Sequence, residues 1–506
     1  MNETRRLFRN TAAQSAPVVT AFAFSFVLAP IMLSQLGLAQ FGVWAVTGAL
    51  AQYARLLDLG ITNSLSRFVA LYEAGGERRA IEETVAIGLL AATAVGAVVL
   101  AAAALAAPLV SDVIGVLDAG EMRVVLVCSA TIAVANLFAA VLSAVPVGLR
   151  RMGPPNVAMT VGNTVNFVAS VVALLLSTEL TDYALANAGA ALVGLVLTAA
   201  SLAYVWRAPF VGRPGLGRAR EIVSFGVKSQ TVTLAQLVNV QTDKLIIAAM
   251  LGPRTAGAYE IANRVVQGIV SLGLLTLSAL IPTATADLVK RGRQVIAEYF
   301  GRYTVRSLAI ALPMFGAVCV SAPYLLVAWL GEIPPDSVEI IVLLSVSFAV
   351  SMATGVAMTL AMSDGRPGLV AQTAIMVVVL NLAGTVVAAP IFGLWGVLIA
   401  TVAAELIASV VFMVRFNRRY GLGARALAGG IAAPAAVAVL AALPAAVWYL
   451  TGAAIPDERA PAALGALLTG GLYTALCWGL GSRLELLPER LRVGALRGLV
   501  PILRRR

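Results

Sequence analysis

Apolar residues run in blocks of about twenty or more along the whole chain, separated by short polar connections. A helix rises about 1.5 Å per residue, so blocks of this length match a hydrocarbon core about 30 Å thick. Fourteen such blocks can be marked, centred near Phe24, Leu50, Val95, Ala133, Val165, Val193, Leu237, Ile269, Leu312, Val346, Val377, Val402, Val437 and Tyr473. No connection has room for a domain with its own core. The expected fold is therefore an all-α polytopic membrane protein with about 14 transmembrane helices.

The blocks are not independent of one another. Leu36-Gly37 followed by Phe41-Gly42-Val43-Trp44 recurs as Leu251-Gly252 followed by Ala256-Gly257-Ala258-Tyr259, and each copy sits between two apolar blocks, as a hairpin tip would. The same offset pairs Arg78 with Arg293, Arg151 with Arg366 and Asn166 with Asn381. Six blocks separate the copies, so both enter the membrane in one orientation. They are parallel repeats, with a pseudo-two-fold axis along the membrane normal. The expected organisation is an N-lobe over residues 1–207 and a linker over 208–222, then a C-lobe over 223–419. Residues 420–506 form two further helices outside the repeat and a basic tail.

Composition excludes a soluble globule, because 60% of residues are hydrophobic and only 12% are charged, against about a quarter charged in soluble proteins. The net charge of +11 has a one-sided origin. Arg5, Arg6 and Arg9, then Arg67, Arg78 and Arg79, then Arg150 and Arg151 fall on alternate connections, and the alternation continues through Lys290, Arg291 and Arg293 to the Arg504-Arg505-Arg506 end. The opposite connections are acidic, with Asp112, Asp118, Glu121, Glu179, Asp182, Glu332 and Asp336 among them. By the positive-inside rule both termini are expected in the cytoplasm, which requires an even number of spans. The excess charge suits anionic membrane lipids and gives no reason to expect a nucleic-acid partner. Met1 to Arg9 resembles the basic start of a signal peptide, yet the apolar stretch behind it runs to about Leu36 and is read as a retained first helix.

The chain has no histidine, no Walker-type loop and no Cys-x-x-Cys, so no catalytic residue, cofactor or metal site is expected. Cys128, Cys319 and Cys477 lie inside apolar blocks and are read as packing residues. What stands out instead is charge inside the membrane, where each group costs about 2.5–3.5 kcal/mol on insertion scales. Arg55 and Asp58 lie in the second helix, Lys228, Asp243 and Lys244 in the seventh, Glu260 and Arg264 in the eighth, and Glu405 in the twelfth. Asp243 and Arg264 are equally far from the turn between their helices, so a bridge at one depth is expected, with Glu260 one turn from Arg264 able to share it. Arg55, Arg264, Lys244 and Lys228 are candidates for a cationic cavity that receives an anionic headgroup. Asp58, Asp243, Glu260 and Glu405 are candidates for gating or ion coupling. The repeat does not duplicate these charges, since Asp243 and Arg264 correspond to Leu28 and Ala49.

These motifs carry a family resemblance. Leu36-Gly37 through Phe41-Gly42-Val43-Trp44, Leu56-Leu57-Asp58-Leu59-Gly60, Gln241-Thr242-Asp243-Lys244-Leu245-Ile246-Ile247 and Phe392-Gly393-Leu394-Trp395-Gly396 resemble the Wzx-type polysaccharide flippases of the MOP (MATE-like) superfamily. The resemblance implies a V-shaped pair of six-helix lobes in the bacterial cytoplasmic membrane. It also implies flipping of an undecaprenyl-diphosphate-linked oligosaccharide from the inner to the outer leaflet by alternating access. A Na+ or H+ gradient as driving force, and a polysaccharide polymerase or export machinery as partner, stay open. So do two related activities, multidrug export and lipid II flipping. A membrane glycan polymerase or ligase would be expected to carry a large outer loop, which this chain lacks.

Overall fold

The computed structural model describes residues 2–53, 60–207, 215–278, 280–422, 424–451, 455–484 and 486. Among the described residues every element is a helix: α1 (Asn2–Gln52), α2 (Ile61–Ala74), α3 (Arg78–Ile114), α4 (Ala119–Gly148), α5 (Gly153–Leu176), α6 (Leu180–Val205), α7 (Leu216–Leu251), α8 (Pro253–Ser278), α9 (Leu280–Arg291), α10 (Gln294–Leu330), α11 (Ser337–Ser363), α12 (Pro367–Tyr420), α13 (Ala424–Leu450) and α14 (Arg459–Arg483).

Ten of these are long and apolar enough to cross a membrane. Two of the ten are double. At 51 and 54 residues, α1 and α12 would each be about 75–80 Å long if straight, more than twice a bilayer core. They break at Gly37 and Gly393, whose φ values are 74° and 58°. In α12 the break is a reversal, because Gly384 faces Ala400 and Gly396 faces Ala388. Residues equidistant from Phe392 are thus neighbours, the register of an antiparallel hairpin. Counting α1 and α12 twice makes twelve, and α7 and α8, with 36 and 26 residues, are long enough to be the other two of the fourteen expected spans; α2 follows the second half of α1, and α9 follows α8.

The repeat is written into the backbone. Gly37 has φ 74°, ψ 168° and Gly252 has φ 89°, ψ 162°, a region essentially closed to any residue with a Cβ. The same break is therefore made once in each copy of the repeat. A second signature links neighbouring spans. Asn187 on α6 accepts from Asn166 Nδ2 (3.0 Å) and Ser170 Oγ (3.1 Å) on α5. Asn381 accepts from Thr385 and Thr401 hydroxyls, both at 3.2 Å, across the α12 hairpin. The offset that relates Gly37 to Gly252 also relates Asn166 to Asn381 and Ser170 to Thr385.

One expected pairing is corrected. The left-handed glycines Gly76 and Gly292, and likewise Gly115 and Gly331, are separated by one residue more than Gly37 and Gly252 are. Arg78, the first residue of α3, therefore corresponds to Gln294, the first of α10, and not to Arg293. The second copy holds one extra residue before this turn and one fewer after Gly331, so the original register is restored at Arg151 and Arg366. A sequence offset cannot reveal two compensating slips.

The chain divides into two compact units, residues 1–257 and 258–506. In the first, α4 packs between α3 and α6, and α5 packs on α1 and α6. Small residues permit the close approach: a Cβ on Gly88 would meet Leu65 and Val141, and one on Gly96 would meet Val134. Helix α7 lies against α1, α2 and α3. Its Ile222 is fully buried in a cluster with Leu65, Phe68, Ile87 and Val141, and Arg218 pairs with Glu83 on α3. Division by repeat, at the 208–222 linker, and division by packing, at Gly257, are thus different borders.

In the second unit α10 is the central helix, touching α9, α11, α13 and α14. The two helices outside the repeat are fastened to it by aromatic residues. Trp448 Nε1 donates to the Tyr324 hydroxyl (2.9 Å), Tyr449 donates to the Val320 carbonyl (2.7 Å), and Tyr473 fills the space left by Gly316.

Candidate functional site: buried charges on α7 and α8

The second copy of the hairpin joins α7 and α8, which carry several of the intramembrane charges. On α7, Gln241, Asp243 and Lys244 are all buried, and on α8 Glu260 and Asn263 are buried. Burying such groups is costly unless they are paired or hydrogen-bonded. Arg264 Nε lies 3.0 Å from Glu260 Oε1 one turn earlier, with the two side chains only 20% and 12% exposed. The expected sharing of Arg264 by Glu260 is therefore made within α8. Asp243 belongs to the first compact unit and Arg264 to the second.

Next to Asp243, Thr242 Oγ1 and the Tyr53 hydroxyl are hydrogen-bonded at 2.7 Å, and the Asp243 carboxylate is within electrostatic reach of that phenol. Tyr53 ends the described part of the second span, two residues before Arg55 in the sequence. Arg55 and Asp58 themselves lie outside the described residues, and Lys228 lies on α7 with its side chain likewise outside them.

Glu405, in the second half of α12, is partly buried and is hydrogen-bonded by Ser351 of α11. Among the described residues it forms no ion pair. Also among them, no group of three metal-ligating side chains is assembled, and the three cysteines are free thiols, two of them buried.

Sequence reasoning passed over Tyr53, Gln241, Thr242 and Asn263. The available signal was the run Gln241-Thr242-Asp243-Lys244, four consecutive polar residues directly before the apolar Leu245-Ile246-Ile247 stretch, which must point in several directions at once. Chemically the first unit offers the Asp243 carboxylate, the Lys244 ammonium and the Tyr53 and Thr242 hydroxyls, and the second the Glu260–Arg264 pair. Groups of these kinds can hold an anionic group, or move a proton or cation, without a covalent step.

This fold defines a class. The structure resembles a multidrug resistance MATE family transporter of the MOP superfamily in its inward-facing conformation, at a TM-score of 0.64 and 17% identity over 81% of this chain and 94% of that one. It resembles equally the lipid II flippase MurJ in an inward closed conformation, at a TM-score of 0.64 and 9% identity over 92% of this chain and 98% of that one. At such identities the likeness shows a shared fold, that of multi-pass membrane transporters. No curated protein matches the chain. Residues 7–286 match the family model described as polysaccharide biosynthesis protein, and the chain belongs to this family of Wzx-like flippases.

Proposed function

We propose that the protein flips an undecaprenyl-diphosphate-linked oligosaccharide, a polysaccharide repeat unit, from the inner to the outer leaflet of the bacterial cytoplasmic membrane. The observation that carries this reading is the family match over residues 7–286, which takes in both hairpin copies and the charged stretches of α7 and α8. The fold likenesses do not choose between lipid-linked and drug substrates, because the two TM-scores are equal. Family membership favours the glycan.

In this reading Arg55, Lys228, Lys244 and Arg264 supply positive charge for the diphosphate, for which guanidinium groups offer bidentate bonds. Asp58, Asp243, Glu260 and Glu405 are the acids available to couple transport to a Na+ or H+ gradient. Among these, Glu405 combines partial burial with a neutral hydroxyl partner, the setting in which a carboxyl can exchange a proton without breaking an ion pair. Both termini face the cytoplasm, as the positive-inside rule requires.

The test is export of surface glycan in a host lacking its own flippase. Arg55→Ala with Arg264→Ala is expected to abolish surface glycan while the protein still inserts at normal abundance. Wild-type glycan in that double variant would remove the cationic-site assignment, and export of drugs but not glycan by the wild type would remove the substrate assignment.

A further inference from the structure

Two loops on the basic face occupy equivalent places in the repeat. Leu149-Arg150-Arg151-Met152 joins α4 to α5, and Asp364-Gly365-Arg366 joins α11 to α12. Their backbones make one motif. Arg151 N donates to Pro146 O (2.7 Å) and Arg150 N to Val147 O (3.0 Å), while at the equivalent positions Arg366 N donates to Ala361 O (2.9 Å) and Gly365 N to Met362 O (3.0 Å). This is a Schellman ending, which requires one residue in the left-handed region and takes glycine there by preference. The second copy uses Gly365, φ 72°, but the first uses Arg150, φ 57°. An arginine stands where the turn asks for glycine, against the steric preference of an L residue.

The side chains differ in the opposite sense. In the second copy Asp364 gathers the local charge, accepting from Arg293 Nε (3.0 Å), Arg366 Nε (3.2 Å) and the Tyr420 hydroxyl (2.9 Å). In the first copy leucine replaces that acid. Arg150 and Arg151 are both exposed, and neither forms an ion pair with a described residue. Several other arginines of the first unit's basic face are engaged, although Arg79 and Arg220 are exposed. Arg67 lies over Phe225, Arg78 lies over Trp206 and pairs with Glu82, and Arg218 pairs with Glu83. One copy of the loop is thus neutralised from within, while its mate exposes two consecutive arginines, the first from a backbone conformation that costs the chain stability.

We propose that Arg150 and Arg151 are the capture site for the diphosphate of the lipid-linked substrate at the basic face of the membrane. Two neighbouring guanidiniums match two linked phosphates, each able to accept paired N–H bonds. The assignment rests on the flippase reading. The chemistry would also suit the single phosphate of a bulk anionic lipid, and the experiment separates the two.

Full-length protein in phosphatidylcholine nanodiscs is titrated with undecaprenyl diphosphate and, separately, with phosphatidylglycerol, comparing wild type, Arg150→Gly, Arg150→Gly with Arg151→Gln, and Arg366→Gln. Arg150→Gly should melt at the same temperature or higher, since glycine is the residue this turn prefers. The double variant should bind undecaprenyl diphosphate about tenfold or more weakly, while Arg366→Gln binds as wild type. Undiminished binding in the double variant, or a loss confined to phosphatidylglycerol, would overturn the capture site and leave the flippase reading intact. A wild type that binds no undecaprenyl diphosphate would overturn both.

Discussion

Gly42 and Gly257 stand at equivalent places in the two hairpins and pack against one another. A Cβ on Gly42 would run into the Pro253 carbonyl and approach the Gly257 nitrogen, and one on Gly257 would run into the Leu38 carbonyl and approach the Gly42 nitrogen. Leu38 and Pro253 are likewise equivalent positions of the repeat. The contact is therefore reciprocal, as in an interface across a two-fold axis, here between two parts of one chain. Because the atoms met are backbone, no rotamer change can make room. Gly42→Ala and Gly257→Ala should each lower stability by about 1–3 kcal/mol, the usual cost of overpacking. Gly48, a helical glycine with open space around it, is the control: Gly48→Ala should be neutral or stabilising by about 0.5–1 kcal/mol. Thermal unfolding in detergent reads all three, and equal tolerance at the three positions would refute the contact.

The start of α7 is held to the first unit by packing more than by charge. Ile222 is wholly buried, whereas the Arg218 and Glu83 side chains are 33% and 27% exposed. Ile222→Ala should therefore cost about 2–5 kcal/mol, and Arg218→Ala about 1 kcal/mol or less. Chemical denaturation of the two variants checks the ranking.

Asp364 makes the turn between α11 and α12 sensitive to acid. Burial alone would push its carboxyl upward, but the hydrogen bonds from Arg293, Tyr420 and Arg366 outweigh this and hold it below its ordinary value. A carboxyl depressed in the folded state contributes stability that is complete above its unfolded value, near 3.8, and is lost as pH falls further through the folded value. Asp364→Asn should cost about 1–3 kcal/mol at neutral pH and should flatten the fall in stability below about pH 4. Melting curves of both proteins across that range are the measurement, and parallel pH profiles would contradict the role.

The asparagine clamps should behave as coupled units. Asn187→Ala leaves Asn166 and Ser170 without their acceptor, at a cost of about 0.6–1.7 kcal/mol by the scale of hydrogen bonds in membrane proteins. Asn166→Ala in the Asn187→Ala background should then cost less than it does alone. Additive losses would show that the two side chains do not depend on each other.

Much of this was legible because a bilayer imposes strong rules. A helix must be apolar for about twenty residues to cross, so spans, connections and the basic face can be read from residue type alone. The hairpins at Gly37 and Gly252 were legible as a repeated Leu-Gly pattern, and the intramembrane charges because each is expensive. The Glu260–Arg264 pair was legible from its one-turn spacing, but the hydrogen bond beside Asp243 was not, since Tyr53 and Thr242 are 189 positions apart and nothing local to either announces the other. The place of α13 and α14 was equally hidden, because Tyr473 and Trp448 read as ordinary apolar-block aromatics until Gly316 and Tyr324 of α10 are seen beside them.

By itself, then, the sequence determined that the chain spans a membrane about fourteen times, that it repeats, and that a few charges lie where solvation is poor; each follows from the cost of exposing polar groups to lipid. The tertiary structure alone decided that the hairpin glycines touch, that α7 packs with the first unit, that the repeat slips by one residue and recovers, and that one of two equivalent turns keeps an arginine where its mate keeps glycine. Those properties depend on which distant atoms fall within a few ångströms of each other and on the sign of a single backbone angle. Neither is encoded in the local periodicity of apolar and polar residues.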